Sequence, residues 1–211
     1  MGRNLSAKCK QCRREGSKLF LKGERCNSSK CAMVKRNYIP GVHGIKLGRG
    51  ARLTGYGTQL REKQKAKRTY RILEKQFQGY YHKAIIRRGN TVDHLFGLLE
   101  MRLDNVVFRA GFCDSRDFAR QVIRHGHVLV NGQKVDIPSF QLKIKDKLTI
   151  KPTSLKKAQF QDFGEKIKNK QVPDWLAVDV KELNAMVIDT PSLARNEPSF
   201  DLKQVIEFYS R

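Results

Sequence analysis

Four cysteines carry the most specific chemistry in this chain. Cys9, Cys12, Cys26 and Cys31 are spaced C-x2-C-x13-C-x4-C. Two thiolates separated by two residues can chelate one ion from a tight turn, and a second pair completes a tetrahedral set. Four thiolates leave no position for water, so the metal this spacing predicts is structural and not catalytic. One zinc ion is expected, with an iron–sulfur cluster as the alternative. Paired disulfides are the competing use of four cysteines. The start MGRNLSAKCK lacks an apolar signal segment, so export and disulfides are not expected. A structural zinc contributes roughly 10–16 kcal/mol at neutral pH, enough to fold a polar segment that has no core of its own. Cys113 stands apart and reads as a buried free thiol.

A second constellation lies between Arg116 and Asn131. Arg116, Arg120 and Arg124 recur at i, i+4 and i+8 on one helical face. Gln121, His125, His127 and Asn131 crowd the same corner, and all can hydrogen-bond phosphate or base edges. A row of arginines can also be an ordinary solvated face. No acidic residue stands four positions from Arg120 or Arg124, so the stripe is expected to be unneutralised and outward-facing.

The elements that must position this corner are legible around it. Leu95, Leu98, Leu99, Val106 and Val107 recur at helical spacing, with Thr91 as the candidate cap. A second helix starts at Ser115, has Asp117 at the positive end of its dipole, buries Phe118, Ala119, Val122 and Ile123, and stops at Gly126. His127–Val130 then alternates toward Asn131-Gly132, a hairpin turn signal, with Gln133–Asp136 as the return strand ended by Pro138. LKIKDKLTI at 142–150 reads as a strand pair turning at Lys145-Asp146, and Trp175 as a packing anchor. MVIDT at 186–190 and VIEFYSR at 205–211 read as short strands or extended pieces. Upstream, 58–88 is helical in composition, with Gly79 as its break and Tyr70, Phe77, Tyr80 and Tyr81 as core. Six glycines between Gly41 and Gly57 mark a basic arm. It lacks the G-x4-G-K-S/T of a nucleotide-binding loop.

The formal charge of +23 is uneven. Residues 1–93 hold 24 Lys+Arg against 5 Asp+Glu, net +19, whereas from Gln171 onward 4 basic residues face 7 acidic, net −3. Such asymmetry points to a polyanion bound mainly by the N-terminal half. A membrane surface is the weaker alternative, because no long basic helix carries a broad apolar face. No run of 18 apolar residues is present. No nucleophile–base set or paired carboxylates stand out, and the His-x-Glu and Pro-Cys-x-x-Cys pattern of a nucleic-acid deaminase is missing.

SRDFARQVIRHGHVLVNG at 115–132 resembles the small RNA-binding module named after small-subunit ribosomal protein number four. RLDNVVFRAGF at 102–112, YGTQLREKQK at 56–65 and VIEFYSR at 205–211 resemble that ribosomal protein family itself, in the same order. The resemblance spans nearly the whole chain and implies an α+β fold. Its parts are a zinc-binding basic module at 1–40, a Gly-rich basic arm at 41–57, a helical domain at 58–92 completed by 196–211, and a helix–hairpin RNA-binding module with its extension at 93–195. On this reading the RNA-binding module is inserted before a C-terminal strand. Some bacterial members of the family carry a four-cysteine zinc module at this end.

The resemblance also implies a non-enzymatic constituent of the small ribosomal subunit. It would bind the 5′ domain of 16S ribosomal RNA at a helical junction, nucleate assembly, touch ribosomal protein number five, lie near messenger RNA where it enters the subunit, and influence decoding accuracy. It would reside in a cytoplasmic bacterial-type ribosome, an organellar one being the alternative, with neither membrane contact nor homo-oligomer. The candidate RNA contacts are Arg3, Arg13, Arg14, Lys22, Lys35, Arg36, His43, Arg61, Lys63, Lys65, Arg102, Arg116, Arg120, Gln121, Arg124, His125, His127 and Asn131. An RNA-modifying enzyme bearing the same module would need a catalytic domain for which no segment remains. A zinc-dependent DNA-binding regulator would need dimer heptads that the sequence lacks.

Overall fold

The computed structural model describes residues 4, 6–44, 53–155, 160, 167, 171–179, 182–196 and 198–211. The chain divides into two compact units, 1–95 with 198–211, and 96–197. Among the described residues no helix is long and apolar enough to cross a membrane.

The first unit begins with α1 (Lys8–Glu15), a single 3₁₀ turn (Gly23–Cys26) and α2 (Ala32–Lys35). Two longer helices follow, α3 (Gly55–Thr69) and α4 (Glu74–Ile86). The break between them falls at 70–73, not at Gly79, which lies inside α4. Arg71 adopts a left-handed backbone, φ 57°, and so turns the chain there. The terminal segment forms a helix, α9 (Leu202–Tyr209), not the expected strand. Asp201 caps it by accepting from the Lys203 N–H, and Leu202, Val205, Ile206 and Tyr209 recur at a period no strand would place on one face. Aromatic contacts fasten it: Tyr209 meets Tyr81 at 4.8 Å, Phe208 meets Tyr56 at 5.6 Å, and Phe200, just before the helix, meets Tyr70 at 6.0 Å. Tyr70, Phe77, Tyr80 and Tyr81 are all buried, as expected for core.

Helix α5 (Thr91–Glu100) is capped by Asn90, whose side chain accepts from the Val92 N–H; Thr91 is the first helical residue instead of the cap. The apolar repeat expected to make one helix up to Val107 makes two. Arg102 is extended and starts α6 (Leu103–Arg109). The Leu103 and Asp104 N–H groups donate to the carbonyls of Phe140 and Pro138, so residues outside the helix satisfy its first turn.

In the second unit α6 packs against α7 (Arg116–Arg124), with Ser115 Oγ accepting from the Phe118 N–H and Gly126 left-handed at φ 70° beyond the end. The sheet is antiparallel throughout, in the order β2 (Gln133–Lys134), β1 (Val128–Val130), β3 (Lys147–Ile150), β5 (Asn184–Val187), β4 (Leu176–Asp179). Asn131 at φ 51° and Gly132 at φ 81° make the expected hairpin turn. Of the expected pair at 142–150 only β3 is a strand; Gln141 forms a single bridge to Arg102. One face of the sheet, with Val128, Leu148, Ile150, Ala185 and Val187, joins Val106, Val122, Ile123 and Trp175 in one core. The short helix α8 (Pro152–Leu155) follows β3. Most of the basic stretch 151–171 lies outside the described residues.

Candidate nucleic-acid interface and metal site

The expected arginine stripe is divided by its surroundings. Arg120 is buried, 5% exposed, and pairs with Asp104 across α6 and α7, Nη2 to Oδ2 3.0 Å. Arg102, 0% exposed, holds the same carboxylate with two bonds, Nε to Oδ1 3.0 Å and Nη2 to Oδ2 2.6 Å. Arg116 is also buried. Its Nε donates to Asn105 Oδ1 at 2.8 Å and its guanidinium lies over the Phe108 ring at 4.5 Å. Asn105 in turn donates to the Glu100 carboxylate, which receives two bonds from Arg109. The expectation of an unneutralised stripe is therefore corrected for Arg116 and Arg120, and Arg102 joins them inside. Asp104, which takes Arg120, and Asn105, which takes Arg116, both sit on the preceding helix, beyond the four-residue window that tests a single helix surface.

His127 and Asn131 are engaged as well. His127 is buried, with Nδ1 2.8 Å from Ser154 Oγ and its ring edge-on to Phe160. Asn131 is exposed, but its amide donates to Asp146 and accepts from the Lys147 N–H, bracing the hairpin turn against β3. What remains in solvent is Gln121, Arg124 and His125 at the end of α7, with Lys134 across the turn. Gly126 lets Lys134 lie against the end of α7: a Cβ there would stand 2.2 Å from the Lys134 side chain.

The first unit shows both behaviours. Lys63 is buried, donates to Glu74 at 2.7 Å and lies over the Phe208 ring at 4.5 Å. Lys67 and the Tyr209 hydroxyl reach the same carboxylate at 2.7 and 2.6 Å. Burial alone would raise the Glu74 pKa, but the bonds from Lys63, Lys67 and Tyr209 outweigh it and hold the carboxyl at about 2. Tyr209 is raised by its burial and by Glu74. Arg61 and Arg68 converge on Glu15, whose side chain is wholly buried; burial pushes that carboxyl up while the two arginines pull it down. Lys65 pairs with Glu62. Arg13 donates to the Tyr38 carbonyl and stacks over the Tyr38 ring at 4.5 Å. By contrast Arg14, Lys22, Lys35, Arg36 and His43 are exposed, as are Lys10, Lys18, Arg25 and Lys30. Arg3 lies outside the described residues, as does the centre of the Gly-rich arm, 45–52.

Cys9, Cys12, Cys26 and Cys31 all line one cavity of about 20 Å³, with Leu21, Met33 and the flanking Lys8, Lys22 and Arg25. All four are free thiols. Among the described residues no three His, Cys, Asp or Glu side chains are gathered tightly enough to hold a metal ion as they stand. Two backbone N–H groups are aimed at sulfur: Lys22 at Cys26 Sγ, 3.3 Å, and Leu19 at Cys12. Burial pushes the Cys12 thiol up, and the other three cysteines push it further. Cys113 is a buried free thiol.

The N-terminal part, residues 3–100, matches the family model of the ribosomal protein S4/S9 N-terminal domain, and residues 101–148 match that of the S4 domain. A protein of Syntrophomonas wolfei named small ribosomal subunit protein uS4 is 45% identical over 211 residues, the full length of both chains. One of Clostridium botulinum named small ribosomal subunit protein uS4A is 47% identical over the same span. A third, from Nitrosospira multiformis and named small ribosomal subunit protein uS4, is 46% identical, again end to end.

Proposed function

This chain belongs to the small ribosomal subunit protein uS4 family, and from that premise we propose that it is a structural constituent of the small ribosomal subunit that binds ribosomal RNA. The observation that supports this reading is the row of cations left in solvent on the N-terminal module. Lys10, Arg14, Lys18, Lys22, Arg25, Lys30, Lys35 and Arg36 form no ion pair with an acid among the described residues. Cations that the fold does not use for its own carboxylates are available to phosphate. Gln121, Arg124, His125 and Lys134 form a second, smaller corner of the same kind. Within the subunit, the role is to hold RNA in one shape; no bond is made or broken.

The finer parts of the reading rest on the family resemblance. The RNA is the 16S 5′ domain at a helical junction, with ribosomal protein number five as a neighbour and messenger RNA passing nearby. We further infer that the four cysteines close on one zinc ion, supported by their convergence on a single cavity and by the two N–H groups directed at sulfur. Such bonds stabilise thiolate, and the surrounding lysines and arginines offset the charge of a four-thiolate centre.

Two measurements test this. Binding of the full chain to a small-subunit ribosomal RNA transcript should weaken steeply with salt, with a slope in log affinity of about −0.7 to −0.9 per phosphate neutralised. A nearly flat dependence sinks the RNA reading. Purified protein should hold close to one zinc per chain and Cys26→Ser should lose it. Metal retained in that variant sinks the four-cysteine site.

A further inference from the structure

Phe20 stands out in the N-terminal module. Its neighbours Leu19 and Leu21 are 2% and 4% exposed and pack into the cysteine-lined cluster, while Phe20 is 48% exposed. Its backbone is left-handed, φ 50°, a conformation that a bulky side chain rarely adopts and that asparagine or glycine would occupy more easily. The flanking geometry fixes it there. Leu19 N–H is held by Cys12 sulfur and Lys22 N–H by Cys26 sulfur, so both ends of the loop are tied to the cysteine cluster. The residues two positions before and after it, Lys18 and Lys22, are exposed cations, as is Arg25, and Glu24 is the single acid in the stretch 17–27. Among the described residues the ring of Phe20 stacks on no other ring of the chain. The loop thus holds an aromatic side chain outward in a costly conformation, within a stretch rich in exposed cations.

We propose that Phe20 is a base-stacking residue, its ring receiving one unpaired nucleobase of the bound RNA while Lys18 and Lys22 hold the adjoining phosphates. This deepens the RNA-binding reading and rests on it. An unpaired base offers a flat π surface beside a phosphate, which an aromatic side chain between two lysines complements. An apolar patch on a partner protein would not call for cations on both sides.

The test uses the full chain and a small-subunit ribosomal RNA transcript, comparing Phe20→Tyr, Phe20→Leu and Phe20→Gly with the unaltered protein. Phe20→Tyr keeps the π face and should bind within about twofold. Phe20→Leu keeps apolar bulk without the ring and should bind about tenfold more weakly, with an unchanged salt slope because no charge is lost. Phe20→Gly suits the left-handed backbone, so it should melt no lower than the unaltered protein and still bind about tenfold more weakly. That combination excludes unfolding as the cause. If the unaltered protein binds with steep salt dependence but Phe20→Leu and Phe20→Gly bind equally well, the stacking role is overturned and RNA binding stands. Equal binding to RNA together with poorer incorporation of Phe20→Leu into reconstituted subunits would likewise overturn it, and place a protein surface against the ring. Failure of the unaltered protein to bind RNA would instead overturn the reading beneath it.

Discussion

Two regions of this molecule are rich in arginine and lysine, and the structure treats them in opposite ways. Around α6 and α7, Arg102, Arg116 and Arg120 are turned inward onto Asp104 and Asn105, and Arg109 onto Glu100. In the N-terminal module, ten lysines and arginines from Lys8 to Arg36 stand against two acids, and most of those basic side chains stay in water. The difference lies in the carboxylates. Glu100 and Asp104 are 1% and 2% exposed, and a buried carboxylate must be paired. Each recruits the cations its helices supply. The module offers few such acids: Glu15 takes Arg61 and Arg68, and Glu24 lies in solvent. Cation number is thus a poor map of an RNA surface; what counts is cations left after the buried acids are satisfied.

The sharpest way to break this comparison is to remove the acid that turns the arginines inward. Asp104→Ala leaves the Arg102 and Arg120 guanidiniums buried without their carboxylate. Loss of one partner from such a pair costs about 3–5 kcal/mol. We expect a fall of that size in the stability of the second unit, measured by denaturant unfolding followed by circular dichroism. Arg120→Ala should also destabilise, because Asp104 then loses one of its two cations. If Arg120→Ala instead leaves stability unchanged and only weakens RNA binding, the inward role assigned to it is wrong.

A smaller effect is expected where an internal ion cluster is half exposed. Glu74 accepts from Lys63, Lys67 and Tyr209, and so ties α9 to α3 and α4. Its carboxyl side chain is 43% exposed, so screening by solvent reduces the gain. Glu74→Gln should cost about 1 kcal/mol. The pH dependence has a definite sign. The folded pKa, about 2, lies below the ordinary 4.5, so the contribution is present above pH 4.5 and is lost as pH falls toward 2. Thermal melts of the first unit across that window should fall in the unaltered protein and be flatter in Glu74→Gln. Equal pH slopes would contradict the cluster.

How far the sequence anticipates the structure follows the range of the interaction that decides each feature. Ser115, Gly126 and Asn131-Gly132 act through bonds to residues within a few positions, and each has the role its type suggests. Tyr70 and Phe77 are buried where helical spacing puts them. The errors arise where a distant segment decides. The single helix ending at Val107 is divided because carbonyls at 138 and 140 take the N–H groups of its second half. The terminal segment is a helix because the aromatic surface of α3 and α4 receives one apolar face of it, and VIEFYSR alone fits either period. Arg120 has no acid four positions away on its own helix stripe; its partner Asp104 sits sixteen positions away, on another helix. Phe20 carries no motif at all; only its backbone angle and exposure mark it.

The smallest effects on stability are expected at the cations in solvent, and they sharpen the comparison most. Arg14→Gln in the module and Arg124→Gln at the end of α7 remove exposed charges that no acid among the described residues receives. Substitutions of this kind stay within about 0.5 kcal/mol of the unaltered stability. Each should nevertheless lower the salt slope of RNA binding by about 0.7–0.9, the amount carried by one phosphate contact. Arg116→Gln provides the contrast. Its guanidinium lies over Phe108 and holds Asn105, so its loss should reduce stability while the salt slope stays nearly constant. Filter binding at several salt concentrations, paired with unfolding curves, separates the two outcomes. A slope that falls equally for Arg14→Gln, Arg124→Gln and Arg116→Gln would show that burial does not sort these cations. A slope that falls for the first two alone would make exposure, and not position on the helix stripe, the property that RNA reads.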